Sequence, residues 1–257
     1  LGVIGGNGWL AGALLRPAIV EGVISPARLV ISSRSGTGGL ESWPAVRHLT
    51  DNEILADEAD IVMVSVRPAQ LAEIELDLDD RLLISVMAGV DTDHLADRFG
   101  TERIIRAMPN ACAEQRLSFT PWYATDDATD EDIDFAERLF SASGTPHAVT
   151  EETELDYFTA LTGGGPAFPA LFADSMIRHA IEAGVDPETA DTAVRQLFLG
   201  AAMLMAESPD TPADIVETFM EYRGTTAAGL SAMLDSDVTG AVFDGLSAAH
   251  RKARDGG

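Results

Sequence analysis

Short, unbroken apolar runs recur through the first part of the chain: LGVI at 1–4, RLVIS at 28–32, DIVMVSV at 60–66, LLISVMA at 82–88 and RIIRAM at 103–108. They are rich in β-branched residues and lack polar alternation, which predicts strands buried on both faces of a parallel sheet. The stretches between them predict helices at 9–21, 51–58, 68–74 and 91–98, the last N-capped by Asp91. Alternation of strand and helix in this order is the pattern of a doubly wound sheet. LSFTPWYA at 117–124 and PHAVT at 146–150 predict further strands, flanking a helix at 129–142.

From Glu151 onward the strand signal ends and the spacing becomes helical. Gly184 sits where a helix should stop, and Asp186-Pro187 supplies an N-cap and a first-turn proline for the next. Segments such as LFLGAAMLMA are apolar around most of their circumference, which predicts a partner helix from another chain. The expected architecture is therefore α/β: a Rossmann-type doubly wound sheet over 1–152, then an all-α dimerisation domain over 153–257.

Composition narrows the function. The chain has 257 residues and a hydrophobic content of 46%, enough for a globular core. With 42 Asp and Glu against 17 Lys and Arg, the net charge of −25 repels a phosphate backbone and argues against nucleic-acid partners. No apolar run reaches the ~18–20 residues that span a bilayer. LGVIGG reads as a strand rather than a signal peptide, and Cys112 is the single cysteine, so a soluble cytoplasmic protein is expected. The five histidines are scattered and no cysteine cluster exists, so no metal site is expected.

After the first strand, Gly6-Asn7-Gly8-Trp9-Leu10-Ala11 fits G-x-G-x-x-[G/A] at the opening of a helix. Glycines there allow a tight turn and close backbone approach, and the helix N-terminus attracts a pyrophosphate. The second strand is followed by Ser33-Arg34-Ser35 instead of an acidic residue. A guanidinium and hydroxyls in that place suit the 2′-phosphate of NADP(H), which is expected over NAD(H). Farther along, Gly224-Thr225-Thr226 precedes a helical run, and free N–H groups there suit an anion. Simple helix capping by Thr225 or Thr226 is the alternative use of the same residues.

Several segments together resemble pyrroline-5-carboxylate reductase, which reduces a cyclic imino acid to proline. They are VSVRPAQL at 64–71, SVMAGV at 85–90, RAMPNACA at 106–113, DYFTALTGGGPAF at 156–168 and RGTTAAGL at 223–230. The resemblance implies a homodimer or larger assembly built through the helical domain and a small cyclic imino acid as substrate. It implies nucleotide contacts from Gly5, Gly6, Gly8, Trp9, Leu10, Ser33, Arg34, Asn52, Ser65, Val66, Arg67, Pro68, Val86, Met87 and Ala88, with Asn110 near the nicotinamide. Core packing is the alternative for Val86 and Met87. Arg223, Gly224, Thr225 and Thr226 are the implied substrate residues, with Thr226 hydrogen-bonding the ring nitrogen. In the family this loop completes a site facing the other subunit's nucleotide domain.

The chain departs from the family pattern in two places. Glu221-Tyr222-Arg223-Gly224 stands where Ser-Pro-Gly-Gly is usual, and the glycine loop is one residue longer. A related imine reductase with another substrate, or a non-catalytic NADP(H)-binding paralogue, therefore stays open. A β-hydroxyacid dehydrogenase, which needs a lysine in its helical domain, is disfavoured because Lys252 is the only lysine and lies near the chain end.

Overall fold

The computed structural model describes residues 1–36 and 38–255; Thr37, Gly256 and Gly257 lie outside the described residues. The chain divides into two compact units, 1–165 with 247–257, and 166–246.

The first unit holds an eight-stranded sheet. Its strands are β1 (Gly2–Ile4), β2 (Val30–Ser32), β3 (Arg47–Leu49), β4 (Ile61–Val64), β5 (Leu82–Ser85), β6 (Ile104–Ala107), β7 (Ser118–Ala124) and β8 (Gly144–Ala148). They lie in the order β3-β2-β1-β4-β5-β6-β7-β8. Neighbours pair in parallel except β6 with β7, so β7 and β8 run opposite to the rest. Val3, Met63, Ile84 and Ile105 face one apolar cluster, and Ile4, Val62, Val64, Leu83 and Ile104 face the other. Burial on both faces is why these strands read as continuous apolar runs.

The helices α1 (Trp9–Val20), α2 (Asn52–Glu58), α3 (Thr92–Phe99) and α4 (Asp130–Ser141) fall where the periodicity predicts them. Asp91 accepts from the His94 amide at 2.8 Å, and Thr129 and Asp132 cap the start of α4 reciprocally. Two local expectations change. The segment at Pro68–Glu73 is a 3₁₀ turn rather than an α-helix, and β3 has no counterpart among the expected strands. Its residues Arg47, His48 and Leu49 carry no apolar run because an edge strand is half-exposed.

At the end of this unit α5 (Glu154–Phe158) passes into a π-helical turn at Thr159–Gly163. Gly164 caps the turn, and Gly165 after it lies against Asn110 and Ala111. The second unit contains α6 (Ala167–Glu182), α7 (Pro187–Glu207), α8 (Pro212–Tyr222), α9 (Thr225–Asp235) and the first part of α10 (Val238–Arg254). Asp186 caps α7 through the Thr189 amide at 3.0 Å, with Pro187 in the first turn. Among the described residues of this unit, only Ala190, Val194 and Ala227 are buried. Leu197, Leu199, Met203, Leu204 and Met205 of α7 all stand exposed.

Candidate active site

The strand order reverses direction between β1 and β4, and a parallel sheet opens a crevice there beyond its carboxyl ends. A cleft of about 810 Å³ occupies that place. The glycine loop forms one wall. Gly5 has φ +79°, and a Cβ on it would stand 2.4 Å from the Ser65 carbonyl oxygen. A Cβ on Gly6 would stand 2.5 Å from Ile31 Cβ. These glycines hold the backbone close to β2 and β4 where a side chain has no room, leaving the space in front for a ligand. Gly8 is the N-cap of α1, whose first turn reads Trp9-Leu10-Ala11 and points amide N–H groups at the cleft mouth.

The opposite wall comes from the ends of β2 and β4. Ser33, Arg34 and Ser35 follow β2, with Arg34 exposed, and Ser65, Val66 and Arg67 follow β4. Buried Ser32 donates to Asn52 Oδ1 at 2.6 Å, which orients that amide at the start of α2. The Arg67 amide is held by Gln70 Oε1 at 3.2 Å.

Of the nucleotide-contact residues expected from the sequence, the cleft gathers Gly5, Gly8, Trp9, Leu10, Ser33, Arg34, Asn52, Ser65, Val66, Arg67 and Val86. Five others do not line it. Gly6 sits behind the loop, Pro68 lines a second cleft of about 540 Å³, and Met87 is buried in the core. Ala88 packs on the cluster of Met108, Val149 and Leu155. Asn110 is also buried; its Oδ1 accepts from the Cys112 amide at 2.9 Å and its Nδ2 donates to the Phe119 carbonyl at 3.4 Å.

The cleft also contains Ser35, the third residue of the Ser-Arg-Ser segment, and Asn7, Ser32, Thr50, Gln70 and Glu73, which sequence reasoning did not single out. Only Asn7 carried a signal, as the variable position inside the glycine motif. Thr50 follows β3 and enters because that strand exists.

In the second unit, the Gly-Thr-Thr segment opens α9. Its N-cap is Gly224, with no side-chain cap hydrogen bond, so neither Thr225 nor Thr226 serves as the cap. Both threonines lie in the first turn, exposed, with the unpaired amides of that turn. Just before them Arg223 closes α8 in the left-handed region at φ 53°, and Tyr222 is 85% exposed. The start of α8 is fixed by Thr211 and Asp214. The Thr211 hydroxyl, then its amide, hydrogen-bond the Asp214 carboxylate and hold it below the ordinary carboxylate range. Among the described residues no group of His, Cys, Asp and Glu is arranged to hold a metal ion, and no helix is long and apolar enough to cross a membrane.

Residues 152–256 match the family described as pyrroline-5-carboxylate reductase dimerisation, and residues 1–89 match that described as NADP oxidoreductase, coenzyme F420-dependent. The chain is 31% identical over 239 residues to pyrroline-5-carboxylate reductase 2 of Bacillus subtilis (strain 168), covering 90% of this chain and 86% of that protein. This chain belongs to the pyrroline-5-carboxylate reductase family. The family comprises NAD(P)H-dependent oxidoreductases acting on a C=N bond. A pyrroline-5-carboxylate reductase structure from Coxiella burnetii superposes with a TM-score of 0.89 at 26% identity, covering 99% of this chain and 97% of that one. The Plasmodium falciparum pyrroline carboxylate reductase with NADP bound gives a TM-score of 0.85 at 24% identity, covering 99% and 96%, a likeness of fold.

Proposed function

We propose that this chain reduces 1-pyrroline-5-carboxylate to L-proline, using NADPH in preference to NADH. The similarity to a pyrroline-5-carboxylate reductase along nearly the whole chain carries this conclusion. A cleft at the sheet's switch point, with glycines where a Cβ would collide, fits a dinucleotide.

The reduced nicotinamide, when bound, supplies the hydride for the imine carbon. A protonated cyclic imine is already electrophilic, so the protein's task is to bind, align and neutralise. Gly5, Gly6 and Gly8 bring backbone to the pyrophosphate, aided by the amides of Trp9 and Leu10 at the positive end of α1. Ser33 and Arg34 take the 2′-phosphate. Asn52, Ser65, Val66, Arg67 and Val86, which line the cleft, hold the rest of the nucleotide. The amides that open α9, beginning at Thr225, receive the substrate carboxylate, and the Thr226 hydroxyl holds the ring nitrogen. Arg223 adds a cation to that loop. Residues 1–152 act as the nucleotide domain and 153–257 as the substrate and dimerisation domain. Dimerisation through the helical residues is supported by the exposed apolar face of α7. A cytoplasmic setting fits the lone Cys112.

Glu221, Tyr222 and Arg223, where the family is usually small, favour a second reading: an imine reductase for a different ring or side chain. NADPH oxidation with 1-pyrroline-5-carboxylate and a panel of cyclic imines separates the cases. Turnover with the five-membered imino acid is the expected result. Turnover only with another imine supports the second reading, and cofactor binding without turnover identifies a non-catalytic paralogue.

A further inference from the structure

The structure places Asn7 of the glycine loop against the end of β2. The Gly5 and Gly6 amides both donate to the Ser32 carbonyl, at 3.0 and 3.1 Å, which pins the loop there. From this position Asn7 Nδ2 donates to Ser33 Oγ at 2.7 Å and reaches Ser35 Oγ at 3.4 Å. The Gly36 amide also donates to Ser33 Oγ, at 3.2 Å. Gly39 closes over the amide: a Cβ on it would stand 3.0 Å from Asn7 Oδ1.

A serine hydroxyl has two acceptor lone pairs and one proton. At Ser33 both lone pairs are taken, by Asn7 and by Gly36, so its proton can only be given away. Its neighbour in the loop is Ser35 Oγ at 3.3 Å, long for an O–H···O bond and weak enough to exchange for a better acceptor. The exposed Arg34 guanidinium lines the same cleft, so an anion entering there meets a cation and a hydroxyl already set to donate.

We propose that Asn7 is a specificity-determining positioning residue: it holds Ser33 as an obligate hydrogen-bond donor toward the 2′-phosphate of NADP(H). The proposal rests on the NADP(H) preference stated above. A 2′-phosphate only accepts, at full charge, and gains from a fixed donor. The ribose hydroxyl of NAD(H) can donate or accept and brings no charge for Arg34, so it gains less. A carboxylate at residue 7 would reverse the arrangement, accepting the Ser33 proton and repelling the phosphate. That is the chemistry of the acidic residue found in NAD-specific sites.

Calorimetric titration with 2′,5′-ADP and with AMP, which differ by the 2′-phosphate alone, tests the idea without turnover. The wild type is expected to bind 2′,5′-ADP at least ~tenfold tighter than AMP. Equal affinity would sink the NADP(H) preference itself, and the proposal with it. Given a wild-type preference, the near-isosteric Asn7→Asp is expected to bring the affinity ratio close to one, and Asn7→Ala to lower it ~threefold or more. A ratio unchanged in Asn7→Asp overturns the proposal. So does an equal loss for both ligands, which marks Asn7 as merely shaping the loop. If Asn7→Asp does not fold, the ratio in Asn7→Ala decides on the same terms.

Discussion

The Arg106 guanidinium donates to Glu152 at 2.8 Å, joining β6 to the residues that lead into α5. Arg106 is 3% exposed and also meets Asp156 at 3.4 Å, while Glu152 accepts from the amide and hydroxyl of Thr92 at the start of α3. One buried cation thus ties the sheet to two helices. Arg106→Gln leaves two partly buried carboxylates facing each other and is expected to destabilise the chain by about 3 kcal/mol. Urea unfolding followed by circular dichroism measures it; a loss under ~1 kcal/mol would show that the pair is surface-like.

Gly5→Ala should abolish the cleft more than the fold. The added methyl meets the Ser65 carbonyl at φ +79°, so the loop must move away from β4. NADPH affinity, read by fluorescence titration, is expected to fall by more than ~tenfold, with a stability loss of ~1–3 kcal/mol. Wild-type affinity in this variant would mean that the loop does not contact the cofactor.

Arg223 adopts φ 53°, ψ 33° as the C-cap of α8, a conformation that favours glycine. Arg223→Gly is therefore expected to raise stability by about 1 kcal/mol, seen as a higher melting temperature. If the guanidinium also receives the substrate carboxylate, KM for the imine rises in the same variant while NADPH affinity holds. A more stable variant with unchanged KM would remove Arg223 from the substrate residues.

Because Gly224 is the N-cap of α9 with no side-chain cap hydrogen bond, the Thr226 hydroxyl is spared that duty. Thr226→Ala is expected to lower kcat by ~10²-fold or more with little change in NADPH affinity or melting temperature. The reverse pattern, weaker cofactor binding at unchanged kcat, would reassign the residue.

Leu204 of α7 is 58% exposed in a unit whose only buried apolar residues, among those described, are Ala190, Val194 and Ala227. So small a core needs a covering surface, and a second copy of the chain supplies it in the proposed dimer. Leu204→Glu is expected to shift sedimentation from dimer to single chain and to lower the melting temperature. A dimer that survives this charge would place the interface elsewhere.

How far the sequence was legible differs by element. β1, β4, β5 and β6 announced themselves because strands buried on both faces need continuous apolar residues. The caps at Asp91 and Asp186 were equally plain, since a capping carboxylate acts within three residues of itself. β3 was not, because Arg47-His48-Leu49 becomes a strand only by pairing with β2. At Gly-Thr-Thr the start of a helix was visible, but a hydroxyl cap was the wrong alternative, since Gly224 takes the cap position itself.

Periodicity, caps and the glycine motif are short-range matters, so the residues alone settle a doubly wound sheet, a helical second half and a tight glycine turn that opens α1. Asn7 meeting Ser33, Glu152 meeting Arg106 and Gly165 lying on Asn110 span long stretches of chain. Such contacts are decided by how strands pair and loops close, and the fine chemistry of the cleft therefore belongs to the tertiary structure.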